Sequence, residues 1–154
     1  MNQKKLKLFI QEIVEKSNEL KNKYTDETNA KVNYACIFSQ NQKEFDEYKK
    51  ITENFGKIVK ETVSGPLFQI EPLNTVAGTL QLLKIRLPDI TRPELGDADF
   101  SLVDYAKFKN KYLTKKGFKL IEREHMEMIE LMDKTFNVRV YFSHPPLDKQ
   151  LGIL

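Results

Sequence analysis

The sequence predicts an α+β protein built from two β-α-β-β-β modules and preceded by an amphipathic helix, and three observations predict it. A short apolar run at 32–38 leads into a helical stretch at 41–55 and then Gly56; a second run at 98–102 leads into a helical stretch at 104–113 and then Gly117. Each glycine is followed by a β-rich stretch, 57–87 and then 118–142. Upstream of both, residues 3–24 carry Leu6, Phe9, Ile10, Ile13, Val14 and Leu20 at three- and four-residue spacing, which is the pattern of a helix with one apolar face. Repetition outranks local signals, because it constrains the whole architecture.

The N-terminal helix lies outside the repeat, and with the polar residues that follow it makes a segment 1–29. Its apolar stripe must bury against its own domain or against a partner chain. The first module, 30–88, opens with the strand at 32–38. Asn41 is a good helix N-cap, with Glu44 three residues on, and Phe45, Tyr48, Ile51 and Phe55 supply the buried stripe. Gly56 is expected to end this helix as a left-handed C-cap. A strand at 57–63, a Ser64-Gly65-Pro66 turn, a strand at 67–70, a loop at 72–78 and a strand at 79–87 follow. Residues 89–96 form the inter-module linker. In the second module, 97–143, Asp104 caps a helix whose Tyr105, Phe108, Tyr112 and Leu113 face inward. Strands are expected at 118–121, 126–132 and 138–142. Residues 121–132 are rich in Glu, Met and Leu, which favour helix, but the repeat argues for strands there. Residues 144–154 form a tail, in which Pro145-Pro146 cannot continue a strand.

Composition narrows the function classes. A chain of 154 residues, 40% hydrophobic and 31% charged, fits a soluble protein able to bury a real core. Cys36 is the single cysteine, so no internal disulfide forms and a reducing compartment is favoured. Lys7 interrupts the apolar run at 6–10, and Gln11 and Glu12 follow, so no signal peptide or membrane span is expected and the cytoplasm is the default. The net charge of +3 comes from interspersed acids and bases; Lys107, Lys109, Lys111, Lys115 and Lys116 read as a solvated helix face. Neither nucleic acid nor a membrane is therefore an expected partner.

The run from Asp97 through Asp104 to Phe108, followed by Gly117-Phe118, resembles the vicinal oxygen chelate superfamily, which includes glyoxalase I, the bleomycin-resistance proteins and the extradiol dioxygenases. The shared pattern is a strand, an Asp-capped helix with an inward Phe, and a Gly-Phe before the next strand. Asp133 and Asn137 match the ends of that family's Asp-Pro-Asp-Gly-Asn turn. The resemblance spans residues 32–142 and implies two modules whose curved mixed sheets enclose a cleft, often in a homodimer. Members that do metal chemistry place a His on a module's first strand and a Glu on its last. The positions matching them here are Asn33 or Tyr34 and Asp97 on the first strands, and Gln81 and Arg139 or Val140 on the last. A divalent ion needs three or four converging ligands with a place left open for substrate, and an arginine repels it. No metal and no cofactor is therefore expected.

What remains at the cleft is polar. Alternation puts Asp97, Asp99 and Ser101 on one strand face, and Ala98, Phe100 and Leu102 on the other, under the helix. Two buried acids need partners, and Arg139, Arg86 or Lys84 could supply them, so the pair is either structural or functional. Gln81, between Leu80 and Leu82, faces solvent or a polar pocket, while Tyr34, Tyr141 and Phe68 either line that pocket or fill core. Cys36 reads as a buried inert thiol, and Met126, Met128 and Met132 read as core filling. His125, at a strand-to-strand turn, is a candidate general base if that turn folds over the cleft; His144 precedes two prolines, and neither has a ligand partner at metal spacing. Gly-rich phosphate loops, nucleophile elbows and zinc motifs are absent from the sequence.

The reading that follows is a metal-independent, glyoxalase/bleomycin-resistance-like protein. It binds a small organic, anionic molecule through Asn33, Tyr34, Gln81, Asp97, Asp99 and Arg139. The alternatives are an isomerase, epimerase or lyase using Asp97 or Asp99 as general base, with Arg139 holding an enolate-like charge, and a protein-interaction module using the N-terminal helix.

Overall fold

The two apolar runs that open the modules become neighbouring strands, and the other elements are arranged about that pair. In a computed structural model of the chain, which describes residues 1–153, the order is α1(Gln3–Tyr24), β1(Val32–Phe38), α2(Gln42–Thr52), β2(Gly56–Thr62), β3(Gly65–Thr75), β4(Gly78–Arg86), β5(Gly96–Phe100), α3(Tyr105–Tyr112), β6(Phe118–Glu122), β7(Glu127–Leu131), β8(Val138–His144) and α4(Leu147–Leu151). The strands form one curved, unclosed eight-stranded mixed sheet in the order β2-β3-β4-β1-β5-β8-β7-β6. Read inward from either edge, each module has the same order: a hairpin, its last strand, then its first strand. In each, the first and last strands run parallel, and antiparallel pairing of β1 with β5 joins the modules. No described helix is long and apolar enough to cross a membrane.

Residues 121–132 follow the repeat rather than their helix propensity. β6 and β7 form a hairpin with Leu120 opposite Ile129, and Ile129 and Leu131 are fully buried. A helix there would turn one of these two side chains away from the sheet core, so tertiary burial overrides local preference.

Helices α1, α2 and α3 cover one face. Asn41 accepts from Glu44 N at 2.8 Å and Asp104 from Lys107 N at 3.0 Å, so both module helices are capped by the side chains expected. Glu44 returns its bond to Gln40 N, one residue outside the usual capping box. The stripe of α1 buries in its own chain: Leu6, Ile10, Ile13, Val14 and Leu20 are at most 1% exposed, packed on β8, β5, β1 and β3 across the seam between modules. That contact needs Gly96. A Cβ there would lie 2.1 Å from Cys36 O and 3.0 Å from Ile13 Cδ1.

Several local expectations need correcting. Gly56 is not a left-handed cap; α2 stops at Thr52, and Gly56 opens β2, where a Cβ would meet Gln69 O at 2.8 Å. The expected loop at 72–78 is mostly strand, since β3 runs to Thr75. Pro72 sits in an irregular stretch of the β3–β4 pairing, between Gln69 and Leu73, where no ladder donor is required. Met126 and Met128 are half-buried and Met132 is exposed, so they do not fill the core. Phe68 belongs to the helix-side core, not to a polar pocket.

Candidate functional site

Alternation along the central strands separates two chemistries. Ala35, Ile37, Leu83, Ile85, Ala98 and Phe100 point into the core beneath the helices. Their neighbours point to the other face. There Lys84, Cys36, Asp97 and Arg139 stand level across four strands, and the next row holds Tyr34, Asp99, Tyr141 and Glu130. The face is not solvated: Asp97 is 5% exposed and Asp99 0%. Residues 87–95, which join β4 to β5, act as a strap against it. Arg92 Nη1 donates to Tyr141 OH at 3.1 Å, and its guanidinium lies 5.3 Å from the Phe38 ring centre.

Burial dominates the electrostatics. It pushes the Asp97 carboxyl up to about 7, against the pull of Arg92, Lys84, Arg86 and Arg139. Asp97 Oδ1 is buried with no hydrogen-bond partner, and so is Arg86 Nε. Each such group costs about 1–3 kcal/mol while it stays unpaired. Burial also holds the Asp99 carboxyl well above the usual carboxylate range, although Ser143 Oγ donates to it and Ser143 N approaches at 3.4 Å. The Lys84 ammonium is lowered, first by burial and further by Arg86 and Arg92. The Tyr34 phenol and the Cys36 thiol are raised by burial and by the neighbouring acids, which leaves Cys36 the buried, unreactive thiol expected.

The predicted site residues divide. Tyr34, Asp97 and Asp99 come together on this face. A bulge between Val32 and Tyr34 makes Asn33 the extra residue on β1, and its amide is paired with Asp148 of α4. Tyr34 therefore holds the strand position level with Asp99. Gln81 is half-buried in the irregular β3–β4 stretch, where Leu82 rather than Gln81 stands level with Gln69. Arg139 is engaged by the protein itself: Nε donates to Glu94 at 2.9 Å, Nη2 to Thr91 O at 2.6 Å, and Nη1 lies 3.6 Å from Glu130. It ties the strap down. The other cations are held more loosely: Lys84 Nζ donates to Ser64 Oγ, and Arg86 Nη2 and Arg92 Nε lie 3.6 and 3.8 Å from Asp89 Oδ2, which leaves Arg86 Nε without a partner. Arg92 escaped the sequence reading because a linker has no register to place it on a face. His125 does not fold over the acids. Its side chain is 88% exposed beside Glu124, and His144 stacks on Tyr105 at 4.6 Å.

Among the described residues, no three His, Cys, Asp or Glu side chains group so as to hold a metal ion. The donor set on this face does not fit one: the unpartnered carboxylate oxygen of Asp97 stands amid four cations. A separate groove of about 700 Å³ lies at the other end of the chain's second module, between Tyr24, Glu94, Lys116, Met132 and Phe136.

No protein-family model matches the chain, and neither does any curated protein. Among solved structures it is similar to a structural-genomics protein designated EC4020, with a TM-score of 0.72 and 12% identity over 93% of this chain and 87% of that one. That likeness establishes the fold and nothing of the chemistry. A glyoxalase/bleomycin resistance protein/dioxygenase superfamily member from Vibrio splendidus 12B01 is similar at a TM-score of 0.45 and 4% identity, over 74% of this chain and 97% of that one. At those values the likeness is distant and carries no functional argument.

Proposed function

We propose that this protein is a metal-independent, glyoxalase/bleomycin-resistance-like binder of a small organic anion, held on the strap side of the sheet. The observation that carries the reading is the pair of unsatisfied groups there: Arg86 Nε, a donor, and Asp97 Oδ1, an acceptor, both buried. Lys84, desolvated and crowded by two arginines, supplies the preference for negative charge. Asp97 in its protonated form donates to an oxygen of the same ligand. The proposed setting is the cytoplasm. A homodimer of the kind the resemblance implies would use a surface other than the α1 stripe, and the same burial argues against α1 as a partner-binding helix.

A thermal-shift screen of small carboxylates and phosphate monoesters tests this. At a hundredfold excess over Kd a ligand adds about 2.7 kcal/mol, a rise of several degrees. Wild type should show that rise, and Lys84→Met and Arg86→Ala should lose most of it. Equal rises in all three proteins would remove the anion site from this face.

A second reading makes Asp97 a general base in an isomerase, epimerase or lyase. It is favoured by a carboxyl that titrates near working pH with one oxygen free of partners. Carboxylates that bind should then exchange their α-proton in D2O, and Asp97→Asn should stop it. Bound carboxylates that never exchange would leave binding alone.

A further inference from the structure

The C-terminal helix bears on the same face. Asn33 Nδ2 donates to Asp148 Oδ1 at 2.8 Å, and Asp148 N donates back to Asn33 Oδ1 at 3.2 Å. The bulge on β1 is what aims Asn33 outward for this pair. α4 has no buried residue, and its N-cap, Pro146, makes no side-chain cap bond. Its remaining side-chain bonds are local: Gln150 Nε2 to Pro145 O, and Asp148 Oδ1 accepting from Lys149 N. A short helix with so little apolar anchorage opens at low free-energy cost. α4 packs on β1 through this pair, on the strand that carries Tyr34, and the Asp148 charge is near enough to help raise the Asp99 carboxyl.

We infer that α4 is an internal competitor for the ligand: the Asp148 carboxylate occupies the Asn33 amide that a ligand carboxylate would otherwise take. This rests on the anion-binding reading above. Asp148 follows the end of β8 by four residues, and a carboxylate held to the sheet by so short a tether has an effective concentration in the millimolar range. It shields the polar face against weak anions and gives way to a ligand that also reaches Lys84 and Arg86. Asn33, chosen from the sequence as a ligand contact, then has two alternating partners.

The full-length chain and its Asp148→Ala variant test the inference with hydrogen exchange and with glutarate titrations followed by NMR. Amides of 146–153 should exchange far faster than those of β5 in wild type, and faster again in the variant, with β5 unchanged as the control for an intact fold. Glutarate should bind Asp148→Ala about 3- to 10-fold more tightly than wild type. Protection of 146–153 equal to that of β5 would overturn the displaceable helix. Equal glutarate affinity in the two proteins would overturn competition while leaving the anion reading standing. Glutarate binding to neither protein, with the helix released in the variant, would overturn both.

Discussion

An acid beside four cations should be fully ionised, yet burial leaves Asp97 only about half-ionised at pH 7. Its carboxyl moves from an ordinary 3.8 to about 7 on folding. Between those pH values the folded chain keeps a proton that the unfolded chain has lost. Stability therefore falls as pH rises from about 4 to about 7, by up to about 4 kcal/mol. Asp99 is raised as well and acts in the same sense. Urea midpoints at pH 5 and pH 8 should differ less in Asp97→Asn than in wild type, with the gain in the variant confined to pH 8. An identical pH dependence in the two proteins would show that Asp97 is not desolvated. Arg139 gives the opposite kind of prediction. Its partners Glu94 and Glu130 have side chains only 12% and 11% exposed, so Arg139→Ala leaves Glu94 without its cation, leaves Glu130 with Tyr141 OH alone, and frees the strap. A loss of about 3–5 kcal/mol in urea unfolding is expected; a loss under 1 kcal/mol would mean that the strap is held by other contacts. The sequence placed Asp97 and Asp99 by strand alternation, which is a local rule. It could not pair Arg139 with Glu94, because that bond spans the strap and depends on where a linker lies.

At the scale of elements, α1 is the part whose role changes most between sequence and structure. Periodicity sufficed to find the helix and its stripe. It could not say what the stripe covers, since the seam between modules exists only once β1 and β5 pair. Ile13 and Gly96 mark the contact. Ile13→Ala should cost about 2–5 kcal/mol, as a fully buried truncation does. Gly96→Ala should cost more than a surface glycine substitution, because its Cβ meets the Cys36 carbonyl inside the sheet. Chemical denaturation of both variants checks this, and a mild effect of Gly96→Ala would mean that the β1–β5 seam can spread. The β6–β7 hairpin is the converse case: propensity misled, and the repeat was the better guide. Gly56 shows why a glycine cannot be read alone. Its position between helix and strand suggested a cap, whereas close approach to Gln69 is what requires it.

For the whole molecule, the repeat made the architecture legible, and the strand order on the two sides of the β1–β5 seam is the same. The site was legible only in part, because the residues that decide it come from β1, β4, β5, β8 and a strap that carries no periodicity. Light scattering of the full chain at micromolar concentration bears on assembly: a dimer that survives Ile13→Ala would be built on another surface, and one lost with Ile13 would tie assembly to α1. The central claim is that an anion binds on the strap side of the sheet, and NMR shift mapping tests it most directly. With the strongest carboxylate from the thermal screen, perturbed amides should gather at 33–38, 84–92, 97–99 and 139–143. Perturbations gathered instead around Tyr24, Lys116 and Phe136 would place the ligand in the separate groove and contradict the account.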